Sequence, residues 1–168
     1  MNILLINHYA GSIKHGMEYR PYYLAREWVR NGHNVSIVAA SYSHLRQIFP
    51  VPKTNFKNEL VDGIRYFWIR TPYYEKNDIK RVINICSFLA KLTLYANKVA
   101  KETRPDVVIA SSTYPLDIYP ARIISNLTNA KLIFEVHDLW PLSLTELGQM
   151  NRLNPFIILI INYVRLPV

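Results

Sequence analysis

Four stretches of this sequence are nearly continuous apolar runs: NILLIN at 2–7, NVSIVAA at 34–40, DVVIASS at 106–112 and AKLIFEV at 130–136. A strand with one face in water alternates apolar and polar residues, whereas a strand covered on both faces need not. The four runs therefore predict a parallel sheet with helices on both faces. A fifth run, IRYFWIRT at 64–71, alternates in part and is expected at the sheet edge.

The segments between the runs read as helices. Pro21 suits a first helical turn. Leu24, Trp28 and Val29 then fall at helical spacing, with Arg26, Glu27 and Arg30 on the other side, and Asn31-Gly32 supplies the stop. His33 in the following GHNV is expected to close the turn. The stretch 78–103 reads as one amphipathic helix with Asp78 as N-cap. Its apolar stripe is Val82, Ile85, Cys86, Leu89, Leu92, Ala96 and Val99. Its polar stripe is Lys80, Asn84, Ser87, Lys91, Lys98 and Lys101, and Pro105 ends it. The stretch 41–62, with two prolines and no clear period, is expected to be a long functional loop. Alternation of strand and helix defines the fold class as α/β, a doubly wound parallel sheet. In such sheets ligands bind beyond the carboxyl ends of the strands. That rule singles out the segments 8–17, 41–62, 111–115 and 137–141.

Composition narrows the classes. At 168 residues the chain suits one domain, and 50% hydrophobic residues exclude a disordered protein. The single Cys86 excludes an internal disulfide framework and is consistent with a reducing compartment. The run FIILII at 156–161 is too short to span a bilayer, and the N-terminus lacks the basic region of a signal peptide. The NLT at 126–128 matches a glycosylation sequon, which has no meaning in a cytosolic chain. A net charge of +8, from 20 Lys and Arg against 12 Asp and Glu, favours anionic partners. The cations are dispersed and no nucleic-acid motif is present, so phosphorylated substrates and acidic lipid rank ahead of nucleic acid.

Two segments carry candidate chemistry. GSIKHG at 11–16 has the two glycines of a phosphate loop, but Met17 and Glu18 stand where a P-loop has Lys and Ser or Thr. Two readings are open: a turn without a ligand, or a loop whose backbone lets a diphosphate or sugar approach, with Arg20 adding a cation. EVHDLWP at 135–141 sets Glu135, His137 and Asp138 at a strand end. The His–Asp pair can serve as donor, acceptor or base. Alternatively, His137 is satisfied by backbone and Asp138 caps the next helix. His8, His15, His33, His44 and His137 are scattered without metal-ligand spacing, so no metal site is expected. No G-x-S-x-G nucleophile signature occurs.

Taken together, NILLINHYAG, LAREWVRNGHNVSIVAAS, RPDVVIASS and IFEVHDLWP resemble the N-terminal half of retaining GT-B glycosyltransferases of family 4. The similarity extends over essentially the whole chain and points to the bacterial polysaccharide-biosynthesis branch, fucosamine-transferase-like. It implies a Rossmann-like domain on the acceptor side of a cleft, spanning 1–168. A second, donor-binding domain is implied that these residues do not include. The resemblance assigns Gly11, Ser12, Gly16 and Arg20 to the neighbourhood of the donor diphosphate, and His137, with Asp138 beside it, to the transferred sugar. It implies a nucleotide-sugar donor as substrate rather than cofactor, and a lipid-linked or polysaccharide acceptor. The implied location is cytoplasmic, at the inner membrane face. The lysine stripe of 78–103, with Tyr73, Tyr74 and Tyr95, is a candidate contact with anionic lipid. The 168 residues alone are expected to fold without transferring sugar. The competing readings are a non-catalytic nucleotide- or protein-binding module and a nucleic-acid-associated basic domain.

Overall fold

The apolar runs form the centre of a six-stranded sheet. The computed structural model describes residues 1–50, 53–75, 79–137, 139, 142–146, 151, 153 and 158. Strands β1 (Asn2–Ile6), β2 (Asn34–Ala40), β3 (Phe56–Val61), β4 (Ile64–Ile69), β5 (Val107–Ala110) and β6 (Lys131–Phe134) lie in the order β3-β4-β2-β1-β5-β6. All neighbours are parallel except β3 and β4. The five parallel strands therefore follow a Rossmann-like order, with the topological switch between β1 and β5.

Strands β1, β2, β4 and β5 largely bury both faces, as their apolar runs require, whereas β6 at the opposite edge leaves Lys131, Ile133 and Phe134 exposed, unlike the buried strand expected from AKLIFEV. Leu4, Ile6, Val38, Ala40, Phe67, Val108 and Ala110 pack under α2 (Ile79–Leu94), α3 (Ala96–Thr103) and α4 (Ile118–Thr128). Ile3, Leu5, Val35, Ile37, Ala39, Tyr66 and Trp68 pack with Tyr22 and Ala25 of α1 (Arg20–Arg30). Pro21 sits in the first turn of α1, and Gly32, at φ +81°, follows its end as the sequence requires.

Three sequence expectations are corrected. First, 41–62 is not one loop: Phe56–Val61 is β3, which pairs antiparallel with β4 through a two-residue turn at Asp62 and Gly63. Both turn residues have positive φ, +49° and +80°, the geometry that a tight hairpin needs. Consequently β4 is an interior strand, with β3 outside it. Second, the stretch 78–103 is two helices that meet at Tyr95 (φ −94°, ψ +6°), whose ring packs on Phe56. Hydrogen bonds from Tyr95 N to Lys91 O and from Val99 N to Tyr95 O carry the ladder across the junction. Asp78 lies outside the described residues. Third, the two stripes are partly exchanged. Asn84 is buried and donates to Pro72 O at 2.6 Å, whereas Cys86 is exposed.

One side chain ties the carboxyl edge together. Arg46, in the loop after β2, is 4% exposed. It donates from Nε to Ala10 O (3.0 Å), from Nη1 to Ala40 O (2.5 Å) and from Nη2 to His8 O (3.1 Å). The guanidinium also stacks on Trp68, 4.9 Å from the ring centroid. Burial pushes its acidity to about 9, so it remains a cation at neutral pH. Arg46→Met should cost about 3 kcal/mol in urea denaturation, because it removes the charged partner of Ala10 O and Ala40 O and leaves His8 O with only Ala40 N. A loss below about 1 kcal/mol would show that water replaces the guanidinium there.

Candidate functional site

The carboxyl edge divides into a closed part and an open part. The closed part starts at loop 8–17. Gly11 N donates to Glu18 O (2.9 Å), and Gly16 N donates to Ser12 O (2.7 Å). A Cβ on Gly11 would lie 1.9 Å from Gly16 O, and Gly16 has φ +94°. Both glycines are therefore required by the loop's packing on itself. Ser12 is fully buried, and its hydroxyl meets His15 Nδ1 at 2.8 Å. His15 Nε2 faces Glu59 Oε2 at 3.3 Å, and Glu59 also accepts from Lys14 and from Trp68 Nε1. Tyr66 closes the group by donating to Gly11 O at 2.7 Å. Ser–His–Glu is a possible order for nucleophilic chemistry, but this serine is sealed from solvent and serves the loop.

Next to it, His8 is fully buried at the switch point, its Nδ1 2.8 Å from Tyr114 OH, and its backbone N–H bonds to Ser112 Oγ. Asp117, also fully buried, accepts from Ser112 N at 2.8 Å. Burial, reinforced by the nearby Arg46 cation, pushes the His8 imidazole down to about 3. Burial pushes the Asp117 carboxyl up to about 6. Burial also lowers His15 and His44.

The open part lies at the ends of β5 and β6. Glu135 N donates to Ala110 O (2.8 Å) and Ser111 N to Ile6 O (2.9 Å), so both residues extend the sheet ladder by one step. From there the side chains converge. Arg20 Nη2 contacts Glu135 Oε1 at 2.5 Å, Ser111 Oγ donates to Glu135 Oε2 at 2.8 Å, and His137 Nε2 lies 2.9 Å from Ser111 Oγ and 3.2 Å from Glu135 Oε2. Side-chain exposures of 46% for Arg20, 28% for Glu135 and 22% for His137 leave the group accessible. The Arg20 hydrogen bond holds the Glu135 carboxyl below the usual carboxylate range, and Glu135 in turn raises Arg20.

Thus the fold joins Arg20 to His137, two residues 117 positions apart that were singled out separately, and does so through Glu135. It does not present Ser12 to solvent, and among the described residues no hydrogen bond links Gly11, Ser12 or Gly16 to His137. Asp138 lies outside the described residues. Sequence reading missed Arg46, His8, Ser111, Tyr114 and Asp117 as members of the edge. The strand-end rule singled out the segments that hold His8, Arg46, Ser111 and Tyr114 without naming these residues for the edge, and Asp117 lies outside all of them. Among the described residues no group of three His, Cys, Asp or Glu side chains could hold a metal ion, and no helix is long and apolar enough to cross a membrane.

A mostly parallel sheet in this strand order, with helices on both faces, defines the class: an α/β domain of Rossmann-like fold. The family model described as "Glycosyl transferase 4-like domain" matches residues 15–158, and the chain belongs to that family. Among solved structures, the C-terminal domain of a hydrogenase from Pyrococcus furiosus superposes with a TM-score of 0.52. That comparison covers 80% of this chain and 89% of the other at 16% identity, a likeness of fold alone. No curated protein matches the chain significantly.

The two buried groups predict an acid response. Between about pH 3 and 6.5 the unfolded chain holds a proton on His8 that the folded protein does not, so His8 weakens the fold as pH falls. Asp117 acts oppositely: between 3.8 and about 6 the folded protein holds a proton that the unfolded chain has shed. Each slope is at most about 1.4 kcal/mol per pH unit, so the two offset one another between about pH 4 and 6. Asp117→Asn should remove only the second slope. Chemical denaturation across this range should then show the variant losing stability more steeply on acidification than the parent. Parallel curves would show that Asp117 is already ionised in the fold.

Proposed function

We propose that this chain is the acceptor-side domain of a GT-B glycosyltransferase that moves a sugar from a nucleotide-sugar donor to a lipid-linked or polysaccharide acceptor. The carrying observation is the Arg20–Glu135–Ser111–His137 group, which lies beyond the carboxyl ends of β5 and β6 in a member of the glycosyl transferase 4-like family. In this reading a second domain, outside these residues, holds most of the donor, and His137 meets the transferred sugar. The bond from sugar C1 to the diphosphate breaks, the acceptor hydroxyl oxygen forms the new bond to C1, and the hydroxyl proton leaves with the diphosphate. Loop 8–17 needs no P-loop lysine for this, because no triphosphate is hydrolysed. Its compact packing supports a role as a rigid backbone wall beside the diphosphate, with Gly11 and Gly16 permitting the wall's shape.

His137→Ala in the full-length enzyme should lower turnover roughly a hundredfold, about 2.7 kcal/mol of transition-state stabilisation, with the thermal transition unchanged. Near-normal turnover would assign His137 a structural role.

The membrane-facing surface of this reading differs from the one expected from sequence. Tyr74 is buried and Tyr95 packs on Phe56, which leaves Tyr73 as the exposed member of that set. Exposed apolar side chains lie instead along α2 (Ile79, Ile83, Leu94) and α4 (Tyr119, Ile123, Leu127). Neither helix carries an acidic residue, whereas α2 has Lys80, Arg81 and Lys91 and α4 has Arg122. Cations bordering apolar side chains suit the face of an anionic bilayer, where a lipid-linked acceptor resides. Flotation with phosphatidylglycerol vesicles should recover the protein, and vesicles of phosphatidylcholine alone should not. Equal recovery from both would remove lipid charge from the account.

A further inference from the structure

We propose that Glu135, Ser111 and Arg20 are positioning residues that lock the His137 ring with its proton on Nε2, so that Nδ1 is the ring nitrogen offered to the sugar. The bonding leaves one consistent arrangement. An ionised carboxylate only accepts hydrogen bonds, and a serine hydroxyl has a single proton to donate. Ser111 Oγ lies 2.8 Å from Glu135 Oε2, so its proton is committed there. His137 Nε2 then faces a hydroxyl lone pair at 2.9 Å and a carboxylate oxygen at 3.2 Å. Two acceptors on one nitrogen require that nitrogen to carry hydrogen. If Nε2 were bare, three lone-pair-bearing atoms would share one proton within about hydrogen-bond distance, an arrangement that is electrostatically unfavourable.

Arg20 completes the device. Its guanidinium holds Glu135 Oε1, which keeps the carboxylate charged and fixes its plane. Arg20 is also the first residue of α1, whose first turn contains no acidic residue. A cation at a helix N-terminus opposes the helix dipole, so the helix itself gains nothing from it. The partner that compensates is Glu135, on the far side of the sheet's switch point. Glu135 and Ser111 are bonded through their backbone N–H groups to Ala110 and Ile6, so the ring is referenced to the sheet rather than to a loose loop. Among the described residues none bonds Nδ1. A neutral ring therefore presents Nδ1 as an acceptor, suited to a sugar hydroxyl that donates. An asparagine or glutamine at 137 would offer a different pattern, since either amide can turn its N–H₂ outward.

The chemistry assigned to Nδ1 rests on the glycosyltransferase reading, whereas the tautomer is a property of the protein alone. Two-bond proton–nitrogen correlation spectra of the full-length protein, labelled with 15N-histidine, read the tautomer directly. His137→Gln identifies the ring's signals by their loss. The expected result, read at a pH where the ring is neutral, is a His137 ring protonated on Nε2. In Glu135→Gln the new amide can direct N–H₂ at Nε2, and the Nδ1-protonated form should emerge; in Ser111→Ala the Nε2-protonated form should persist against Glu135. In the same enzyme Glu135→Gln should lower turnover roughly tenfold to a hundredfold through misorientation of the ring. A wild-type ring protonated on Nδ1, or a Glu135→Gln spectrum identical to the parent, overturns the proposal. If the tautomer behaves as expected while His137→Ala retains turnover, the lock stands and the catalytic reading fails instead.

Discussion

The burial of the Arg46 guanidinium among three backbone carbonyls is the interaction on which the carboxyl edge depends. Strand ends leave carbonyls beyond the sheet ladder without partners, and an orphaned buried carbonyl is costly. Arg46 satisfies His8 O and Ala10 O after β1 and Ala40 O at the end of β2 with one planar group. A buried cation is tolerated when hydrogen bonds replace its hydration, and the fork of a guanidinium can reach three acceptors where an ammonium would reach fewer sites at fixed angles. The loop after β2 is thereby clamped over the loop after β1. Trp68 lies against the guanidinium, and His15 and Glu59 contact Trp68 in turn. The hairpin β3–β4 thus belongs to the same unit as loop 8–17.

This clamp separates support from chemistry. On the β1 side, buried groups neutralise one another. His8 stays uncharged against Tyr114, burial pushes the Asp117 carboxyl up to about 6, and Ser12, His15 and Glu59 satisfy each other. On the β5–β6 side, Arg20, Glu135 and His137 remain accessible, over a buried Ser111. A wall that cannot relax beside a cluster that can be reached is the arrangement expected where geometry, more than general acid–base power, determines the rate.

The sequence alone determined five of the six strands and the segments that follow them. The runs of β1, β2 and β5 are apolar because most of both their faces is buried, and this local pattern survives without knowledge of any partner. The turn at Asn31-Gly32 and the proline at α1 were equally local, as was the strand-end position of His137. The hairpin β3 was missed although Asp62-Gly63 is a hairpin signal in its own right. FKNELV exposes Lys57, Asn58 and Leu60 and buries only its ends, Phe56 and Val61, so its strand periodicity is broken by its position at the edge. The polarity of α2 was misread for a related reason: Asn84 finds Pro72 O, and nothing within the helix announces that acceptor.

Tertiary structure decided what each polar residue does. Arg20, expected beside a diphosphate, is paired with Glu135, and Ser12, expected in the same place, is buried. Arg46 was not picked out within 41–62, because its three acceptors are main-chain atoms that any sequence supplies. Hydrogen bonds between residues 26, 36 or 115 positions apart depend on how the strand ends are stacked side by side. Hydrophobic periodicity records the average environment of a segment and so is written locally. The pairing of a single polar group is set by directional contacts made only once the sheet has closed, and those contacts exist in the fold and not in the order of residues.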